Sequence, residues 1–498
     1  MKIFERADYL GCHFNYLKAE GYQNYYLILL FDQDDNLRLQ FINSSSKNIS
    51  EFWLHREERK TNLGGVPGEI FPGEWSLILY LPPSSRDFTF RLQLKTGRKA
   101  LNSREGYPVL KGDVWAGSYY KRESGPADRI IDNYCWQCQL EEKSGWYAGD
   151  LHCHSLLSDG LMQPRELQAE AASQELDFYF ITDHNILPTG WPDTTDGSLV
   201  IPGIEITTTR GHFNLLGAEK LYFVNELLGL DFVEYSEGFY LPDSTRINRI
   251  MSQAISEEVL VIVCHPFLPG WEWDYPGISF TEITALEVLN DPRLPGSKIA
   301  ADKAINLLDF LWNRGFQVWG YGGSDIHMRP GDSYAPEVLP SRIGRPRTLV
   351  YLENFSPEEI ISALRSGRAL VTAGPEISWQ GRVKNRKIFP GDDLTQYCNS
   401  GERIFINLAG EESSEYPEAR LRWLENGCCQ QEKKILSSTR LQIELDWSGE
   451  NYNWGRMEVR DSENRLLTFS NPVYCSPGSI SKPGSAELTW QQAISGQE

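Results

Sequence analysis

Alternating apolar and polar residues recur in both terminal parts of the chain. Before about residue 145 they form the runs YYLILLF, LRLQFIN, WSLILYL and FTFRLQLK, and after about residue 375 they return in RIFINLAG, RLRWLEN, RLQIELDW and GRMEVRD. Because successive side chains of a strand point to opposite faces, this period of two predicts strands with one buried face. We therefore expect β-sandwich-like domains at residues 1–145 and 376–498, the second ending in a loose polar tail from about Ser476.

Residues 146–375 show a different pattern. Short apolar runs (FYFIT, LVIPGIEI, VLVIVCHP, TALEVLN and FQVWGYGG) alternate with the helix-like stretches PRELQAEAASQEL, RINRIMSQAISEE and KAINLLDFLWNRG. This alternation predicts βα units arranged around a parallel sheet or barrel. The expected architecture is therefore multidomain, with an α/β unit between two all-β units.

Length and charge restrict the class of protein. A chain of 498 residues, 41% of them hydrophobic, is long enough for several domains with sizeable cores. Its 68 acidic and 48 basic residues give a formal charge of −20, which opposes nonspecific binding to a nucleic acid polymer or an anionic membrane. Neither a signal-peptide apolar core nor a run of about 18 apolar residues is visible. We expect a cytoplasmic protein that acts on a small molecule; no sequence feature indicates its oligomeric state.

Nine cysteines are scattered without the spacing of a secreted disulfide framework, so we expect reduced thiols. Cys135 and Cys138 form a single CxxC in NYCWQCQL. A zinc ribbon requires a second pair, and a redox motif requires a thioredoxin-like setting. We therefore assign this pair no function.

The histidines concentrate in the middle segment, most of them at or just after the end of an apolar run. Six of the eight are found there: His152, His154, His184, His212, His265 and His327. Three carboxylates, Asp159, Glu205 and Asp325, hold the same kind of position. Because parallel strands deliver their next residues to one rim of a sheet, we expect these side chains to converge.

The strongest local signal is GDLHCHSLLSDG, residues 149–160. His152 and His154 are two residues apart on a predicted strand, so both can reach one ion at about 2.1 Å. Asp150 shares that side and is expected to accept the other ring N–H of a ligand. Each remaining histidine alone would be an ordinary core or turn residue. Buried together without a cation, the whole set would carry a severe desolvation cost, so the sequence predicts bound metal.

The motifs DLHCH…SDG, ITDHN, GIE…GH, CHP and GSDIH, in this order, resemble the PHP (polymerase and histidinol phosphatase) metallohydrolases. The β-rich flanks, ALRSGRALVTAGP and the late NPVY are similar, more narrowly, to the CehA/McbA branch. The resemblance implies a distorted (β/α)7 barrel. Seven candidate strands fit it, ending near residues 152, 181, 205, 216, 264, 289 and 322.

The same resemblance implies a role for each polar residue. One metal ion would be held by His152, His154 and Asp325. A second would be held by His212 and His265, with Glu205 bridging the two ions. Mixed imidazole and carboxylate ligands suit Mn²⁺, Fe or Zn²⁺. Two or three divalent ions are expected.

Asp159, His184 and His327 would form a third metal site or bind substrate directly, with His184 or His327 protonating the leaving group. Asp159 stands where several members of the family carry another histidine, which leaves the third ion open. Arg210 and Arg329 are the nearest cations in sequence for an anionic substrate, although both are also typical surface residues.

Three functions follow as alternatives. The leading one is hydrolysis of a phosphate mono- or diester by a metal-bridged hydroxide, which two ions can generate near neutral pH. The second is hydrolysis of a carbamate or carboxylic ester, as in carbaryl-type hydrolases of this branch. The third is a noncatalytic protein with a relic barrel whose flanks bind a glycan or another partner. A relic predicts missing ligands, and none of the core set is missing.

Overall fold

The computed structural model describes most of the chain. The described residues are 1–18, 26–43, 51–57, 60–80, 89–98, 116–117, 130–131, 134–192, 197–208, 210–223, 244–333, 338–436, 439–447, 451–476 and 487–496. None of the helices within these ranges combines the length and the apolar character that crossing a membrane requires.

The N-terminal region consists of short antiparallel strands. Their bounds are β1 (Lys2–Ile3), β2 (Tyr9–Lys18), β3 (Tyr26–Phe31), β4 (Leu37–Asn43), β5 (Glu51–His55), β6 (Gly73–Glu74), β7 (Ser76–Tyr80), β8 (Thr89–Gly97) and β9 (Ala116–Gly117). They form one sheet in the order β5-β2-β8, another in the order β4-β3-β7, and the pair β1-β6. The region is therefore rich in sheet, as the alternating pattern predicts, and the sandwich arrangement stays a prediction.

The middle region alternates strands and helices. Its strands are β10 (Gly145–Asp150), β11 (Phe178–Ile181), β12 (Gly190–Trp191), β13 (Leu199–Thr208), β14 (Gly211–Leu216), β15 (Leu260–Val263), β16 (Ala285–Leu289), β17 (Trp319–Gly322), β18 (Arg347–Leu352) and β19 (Ala369–Thr372). Its helices are α1 (Pro164–Ser173), α2 (Ser244–Ser256), α3 (Ser297–Trp312) and α4 (Pro357–Arg365), with a 3₁₀ turn at Phe280–Glu282.

Local sequence explains where two of these helices begin. Gln163 and Glu166 form a reciprocal capping box at the start of α1, with Pro164 at the first helical position. Ser356 accepts a hydrogen bond from the Glu359 amide at the start of α4. Both helices therefore begin at polar residues that directly follow a loop.

The seven strands expected from the apolar runs lie side by side in the order β17-β16-β15-β14-β13-β11-β10. The pairs of β10 with β11, β11 with β13, β15 with β16, and β16 with β17 are parallel, but β14 is antiparallel to both of its neighbours. The expectation of a parallel sheet therefore holds for four of these six strand pairs, and the sheet is mixed. The connection from Thr208 to Gly211 is too short for a crossover and forces a hairpin.

Strand pairing does not by itself close this row into a barrel, because β10 pairs next with β18 and the sheet continues through β19. Two backbone hydrogen bonds nevertheless join the segments that follow the first and last of the seven strands. The Asp325 amide donates to the His152 carbonyl at 2.8 Å, and the His154 amide donates to the Ile326 carbonyl at 3.1 Å. The residues after β10 and after β17 are thereby held next to each other.

The C-terminal region comprises β20 (Ile377–Val383), β21 (Arg386–Ile388), α5 (Thr395–Asn399), β22 (Ile404–Gly410), β23 (Arg420–Glu425), β24 (Cys428–Lys434), β25 (Thr439–Leu445), β26 (Asn453–Arg460), β27 (Leu466–Ser470), β28 (Val473–Cys475) and α6 (Trp490–Ser495). One sheet has the order β21-β20-β22-β25, and β27-β26-β23-β24 extend the main sheet beyond β19. Strands from both sides of residue 375 thus share one sheet. The predicted domain boundaries stay predictions.

Two expectations need correction. Cys135 and Cys138 form a disulfide, because the turn between them brings their Cα atoms within 5.3 Å, whereas the other seven cysteines are free. The end of the predicted loose tail is ordered: α6 buries Trp490 and Ala493, and Trp490 stacks against Phe280. The polar composition of the tail concealed these two apolar positions on one helix face.

Candidate metal centre

All nine residues predicted as metal ligands converge at one edge of the main sheet. We call this group the rim cluster; it consists of His152, His154, Asp159, His184, Glu205, His212, His265, Asp325 and His327. Most of them follow the carboxyl end of a strand. His212 lies instead at the beginning of β14, and it reaches the same edge because β14 runs antiparallel to β13.

Glu205 is the centre of the rim cluster and is fully buried. Ring nitrogens from four separate segments approach its carboxylate. They are His152 Nε2 at 3.4 Å, His184 Nδ1 at 2.5 Å, His212 Nδ1 at 3.1 Å and His265 Nε2 at 3.6 Å. Oε1 faces His152, His212 and His265, whereas Oε2 faces His184 and, at 3.7 Å, His154 Nε2.

Two groups of potential ligand atoms, each within 4.8 Å of one another, contain residues that the motif resemblance assigns to two ions. One group is Glu205, His212 and His265. The other is His152, His154 and Asp325, in which Asp325 Oδ1 lies 3.0 Å from His154 Nε2 and 3.4 Å from His152 Nε2. Each group holds imidazole and carboxylate donors of the kind that bind transition metals.

A third group joins His154 to Asp159, His184 and His327. Asp159 Oδ1 is shared between two rings, at 3.5 Å from His184 Nε2 and 3.3 Å from His327 Nε2. His327 Nδ1 lies 2.8 Å from the backbone carbonyl of Asp325. A carbonyl only accepts, so Nδ1 of His327 carries a proton and Nε2 is directed to Asp159.

Buried ring nitrogens without hydrogen bonds indicate whether the rim cluster can accommodate a metal ion. His152 Nε2, both ring nitrogens of His154 and His265 Nδ1 are buried and make no hydrogen bond of acceptable geometry, although Asp325 Oδ1 lies 3.0 Å from His154 Nε2. Buried polar atoms in folded proteins almost always have a partner. A metal ion at the group of His152, His154 and Asp325 would satisfy His152 Nε2 and His154 Nε2, and the donor set is one that divalent metals use. The residues present therefore fit bound metal.

The electrostatics of the centre also favour a cation. Burial opposes charge on His152, but Asp325 and the other carboxylates nearby raise its pKa well above the usual value. Burial likewise opposes ionisation of Glu205, yet His184 and His212 hold its pKa well below the usual range. In the metal-free chain the carboxylates thus favour a proton on His152, which a divalent ion would displace.

Within the third group, His154 and His327 differ in the direction of their pKa shifts. Burial, reinforced by His327 and His184, lowers the pKa of His154 to about 3, so His154 is neutral and able to bind a metal ion. Burial also opposes charge on His327, but Asp159 raises the pKa of His327 to about 9. His327 is therefore protonated at neutral pH, opposite an ionised Asp159.

Backbone conformation at the rim is unusual. His265 and Asp325 have φ angles of 28° and 52°, in a region that residues other than glycine rarely adopt. A Cβ atom on Gly323 would lie 2.4 Å from the Cβ of His152, so only glycine lets the segment after β17 approach so closely. Strain of this kind persists where the surrounding structure holds a functional geometry.

Glu287 on β16 is a supporting residue that the sequence interpretation missed. Its Oε1 lies 3.1 Å from His152 Nδ1, and its Oε2 accepts hydrogen bonds from the His265 amide and from Asn290. It fixes which ring nitrogen of His152 faces the centre. The available signal was a single carboxylate inside the apolar run TALEVLN.

Asp150 does not have the role expected of it. Its carboxylate accepts hydrogen bonds from the backbone amides of His152, Ser324 and Gly344, while the ring of His152 uses Glu287. Asp150 therefore fixes the backbone on which the ligands stand.

Two further groups were also missed. Asp183 accepts hydrogen bonds from the amides and hydroxyls of both Ser155 and Ser158, which holds the loop that carries Asp159. The Sγ atom of Cys264 lies within 4.8 Å of ligating atoms of His152 and Glu205. Short-range sequence patterns gave no signal for either.

The two arginines predicted to bind substrate differ in their surroundings. Arg210 Nε donates to Asp274 at 3.2 Å, and its guanidinium lies 4.9 Å from the centre of the Tyr275 ring. Arg329 is exposed, two residues after His327. Their role in substrate binding stays a prediction.

Comparison with known proteins gives weak structural similarities. No family model matches the chain, and no curated protein matches it. A two-domain protein from Bacteroides vulgatus containing a predicted PHP-like metal-dependent phosphoesterase is 16% identical, with a TM-score of 0.34 over 67% of this chain and 96% of that one. A Bifidobacterium adolescentis protein provisionally classed as a metal-dependent phosphoesterase is 15% identical, with a TM-score of 0.25. A Chromobacterium violaceum amidohydrolase, with bound sulfate and no metal, is 16% identical, with a TM-score of 0.22. Each of the last two matches covers 39% of this chain and 92% of the other.

Proposed function

We propose that this chain is a metal-dependent hydrolase and, more narrowly, a phosphoesterase acting on phosphate mono- or diesters of small molecules. The observation that carries the proposal is Glu205, a fully buried carboxylate approached by histidines from four separate segments. Its carboxylate lies within 4 Å of histidines from both ligand groups, His152 and His154 of one and His212 and His265 of the other, which is the position expected of a carboxylate shared between two cations. The order of the motifs along the chain further supports the PHP superfamily, its barrel and the CehA/McbA-like branch.

Two ions account for the two ligand groups. His152, His154 and Asp325 would hold the first, and His212 and His265 the second, with Glu205 between them. When bound, such ions neutralise charge on a phosphoryl oxygen and lower the pKa of a coordinated water. The donors suit Mn²⁺, Fe or Zn²⁺.

We assign Asp159, His184 and His327 to the substrate, because His154, the fourth member of their group, is already a ligand of the first ion. His327 is oriented by its Nδ1–H bond to the Asp325 carbonyl, and its Nε2 proton is stabilised by Asp159. That proton can pass to the oxygen of the leaving group. His184, on the opposite side of Asp159, fixes the position of the carboxylate.

Metal counting and a substrate panel test the proposal. We expect elemental analysis of protein expressed with ample metal to find at least two transition-metal ions per chain. With added Mn²⁺, p-nitrophenyl phosphate or bis(p-nitrophenyl) phosphate should be hydrolysed faster than p-nitrophenyl acetate. One ion or none would overturn the two-ion centre, and a third ion would move Asp159 and its neighbours to the metal. Preference for the acetate would favour the ester hydrolase, and no turnover of any substrate by metal-loaded protein would favour the noncatalytic alternative.

A further inference from the structure

The N-terminal sheet contacts the middle region at the segment that carries His184. Gln40, on β4, uses both atoms of its side-chain amide on one residue of that segment. Its Nε2 donates to the Leu187 carbonyl at 2.8 Å, and its Oε1 accepts from the Leu187 amide at 2.8 Å. Gln40 and Leu187 are both buried, so water cannot replace these bonds.

A second contact lies two residues further along. Thr189 Oγ1 donates to the Gly65 carbonyl at 2.9 Å, and Thr189 is also buried. The preceding Gly64 has a φ of +80°, and a Cβ there would lie 2.4 Å from the carbonyl oxygen of Gln40. Glycine at this position therefore lets the turn pack against β4, where it presents Gly65 to the segment.

The opposite side of the same segment is fixed to β13. The Asn185 amide donates to the Glu205 carbonyl at 2.8 Å, and the Asn185 side chain makes reciprocal hydrogen bonds with the backbone of Thr207 at 3.0 and 3.1 Å. Asn185 itself has a φ of 52°. His184 is thus held between β13 on one side and, three residues later, the N-terminal sheet on the other.

We propose that Gln40 is a positioning residue, and that the N-terminal sheet sets the geometry of the proton-donating group through it. The path runs from Gln40 to the backbone of Leu187, then to His184, then to Asp159. Asp159 Oδ1 contacts both His184 and His327, so a displaced His184 also displaces the carboxylate against which Nε2 of His327 is oriented. The catalytic part of this inference rests on the function proposed above.

Hydrogen–deuterium exchange tests the structural step without any activity. Gln40→Leu removes both bonds to Leu187, and we expect faster exchange in peptides covering residues 182–190. Thr61→Val is the matched control. Thr61 is a buried residue of the same region, and among the described residues its hydroxyl bonds to Glu57 and His55. Equal exchange in wild type and Gln40→Leu, or the same increase in Thr61→Val, would overturn the proposal.

Leaving-group dependence tests the catalytic step. A misplaced proton donor harms substrates with poor leaving groups most, whereas a general loss of folded protein lowers all rates equally. We expect Gln40→Leu to reduce kcat for phenyl phosphate roughly tenfold more than kcat for p-nitrophenyl phosphate. Thr61→Val should reduce both equally. Equal losses in Gln40→Leu would overturn the positioning role, even if its exchange rises.

A second, milder variant keeps the proposal testable if Gln40→Leu does not fold. Thr189→Val removes only the outer contact, and we expect a smaller change of the same sign in both measurements. No change in either measurement would contradict a role for the sheet. If the wild type turns over neither phosphate, the proposed function fails, while the exchange experiment still decides whether Gln40 orders the segment.

Discussion

Two of the clusters of buried ionisable side chains in the described residues differ in whether their polar atoms have partners. One is the rim cluster. The other, which we call the arginine cluster, joins α3 to β26 and consists of Asp302, Asp309, Arg456, Glu458 and Arg460. Both contain carboxylates held next to basic groups.

In the arginine cluster, the charged side chains form hydrogen bonds with one another. Arg456 donates to both oxygens of Asp309, at 2.8 and 3.0 Å, and to Glu458 at 2.8 Å. Arg460 donates to the other oxygen of Glu458 at 2.8 Å and to Asp302 at 2.6 Å. Pairing of this kind offsets the desolvation of buried charges without any ligand.

In the rim cluster, by contrast, four buried ring nitrogens of the histidines make no hydrogen bond of acceptable geometry. Its carboxylates face imidazoles, which are weaker partners than guanidinium groups and lose their charge when deprotonated. A buried group of carboxylates and bases is therefore structural when its bonds are complete. It indicates a ligand when its donor atoms converge and lack partners.

The largest expected effect follows from removing the shared carboxylate. Glu205→Gln should lose bound metal and lower kcat by roughly a thousandfold or more, since several kcal/mol of charge stabilisation depend on the ions. Elemental analysis and steady-state kinetics on the same preparations measure both. Glu458→Gln, in the arginine cluster, should retain its metal. Nearly full activity in Glu205→Gln would show that the bridging role is wrong.

Breaking the arginine cluster should lower stability and leave the metal in place. Arg456→Met leaves Asp309 and Glu458 without their main partner, which we expect to cost about 3–5 kcal/mol in the free energy of unfolding. Urea denaturation measures this cost, and metal content should equal that of the wild type. Adding a chelator should destabilise the variant and the wild type by the same amount. A chelator effect that disappears in Arg456→Met would mean that the two clusters are coupled.

Acid should weaken the arginine cluster in a defined range of pH. Burial opposes ionisation of Glu458, but Arg456 and Arg460 lower its pKa from 4.5 to about 2. A lowered folded-state pKa gives stability that is complete above pH 4.5 and is lost as the pH falls toward 2, here on the order of 3 kcal/mol. Urea denaturation across this range should therefore show the gap between wild type and Glu458→Gln shrinking as the pH falls. A gap independent of pH would contradict this assignment.

The strand ends of the middle region could be read from the sequence. The apolar runs predict ends near residues 181, 216, 289 and 322, and β11, β14, β16 and β17 end there. The reason is that buried strands are short, continuous apolar runs bounded by polar residues. Histidines placed just after such runs therefore converge, which is why the sequence predicts that the side chains of the rim cluster lie close together.

Features that depend on which strands are neighbours could not be predicted from the sequence. His212 reaches the rim from the beginning of a strand because a short hairpin reverses β14, and Gln40 meets Leu187 across a separation of 147 residues. Glu287 was concealed by the apolar residues around it. The prediction for the Asp150 carboxylate was wrong for the same reason. Two of the amides that donate to it belong to Ser324 and Gly344, which are distant in sequence.

The smallest expected effect is at the residue between the two leading histidines. Cys153 is fully buried, its backbone bonds to Thr182, and its thiol is next to Asp150 and Ser324. A serine hydroxyl can donate to Asp150, so Cys153→Ser should retain metal and turnover and lose less than about 1.5 kcal/mol of stability. His152→Ala should lose both metal and turnover.

Thermal melts with and without a chelator compare the two variants directly. A ligand that binds only the folded state raises its stability, so chelation should lower the Tm of the wild type and of Cys153→Ser by similar amounts. His152→Ala should melt lower from the start and respond little to the chelator, because its first site is already lost. Histidines buried only for packing would instead give equal chelator shifts in all three proteins. That outcome would make the rim cluster structural, like the arginine cluster, and the unpartnered nitrogens of His152 and His154 would then need another explanation.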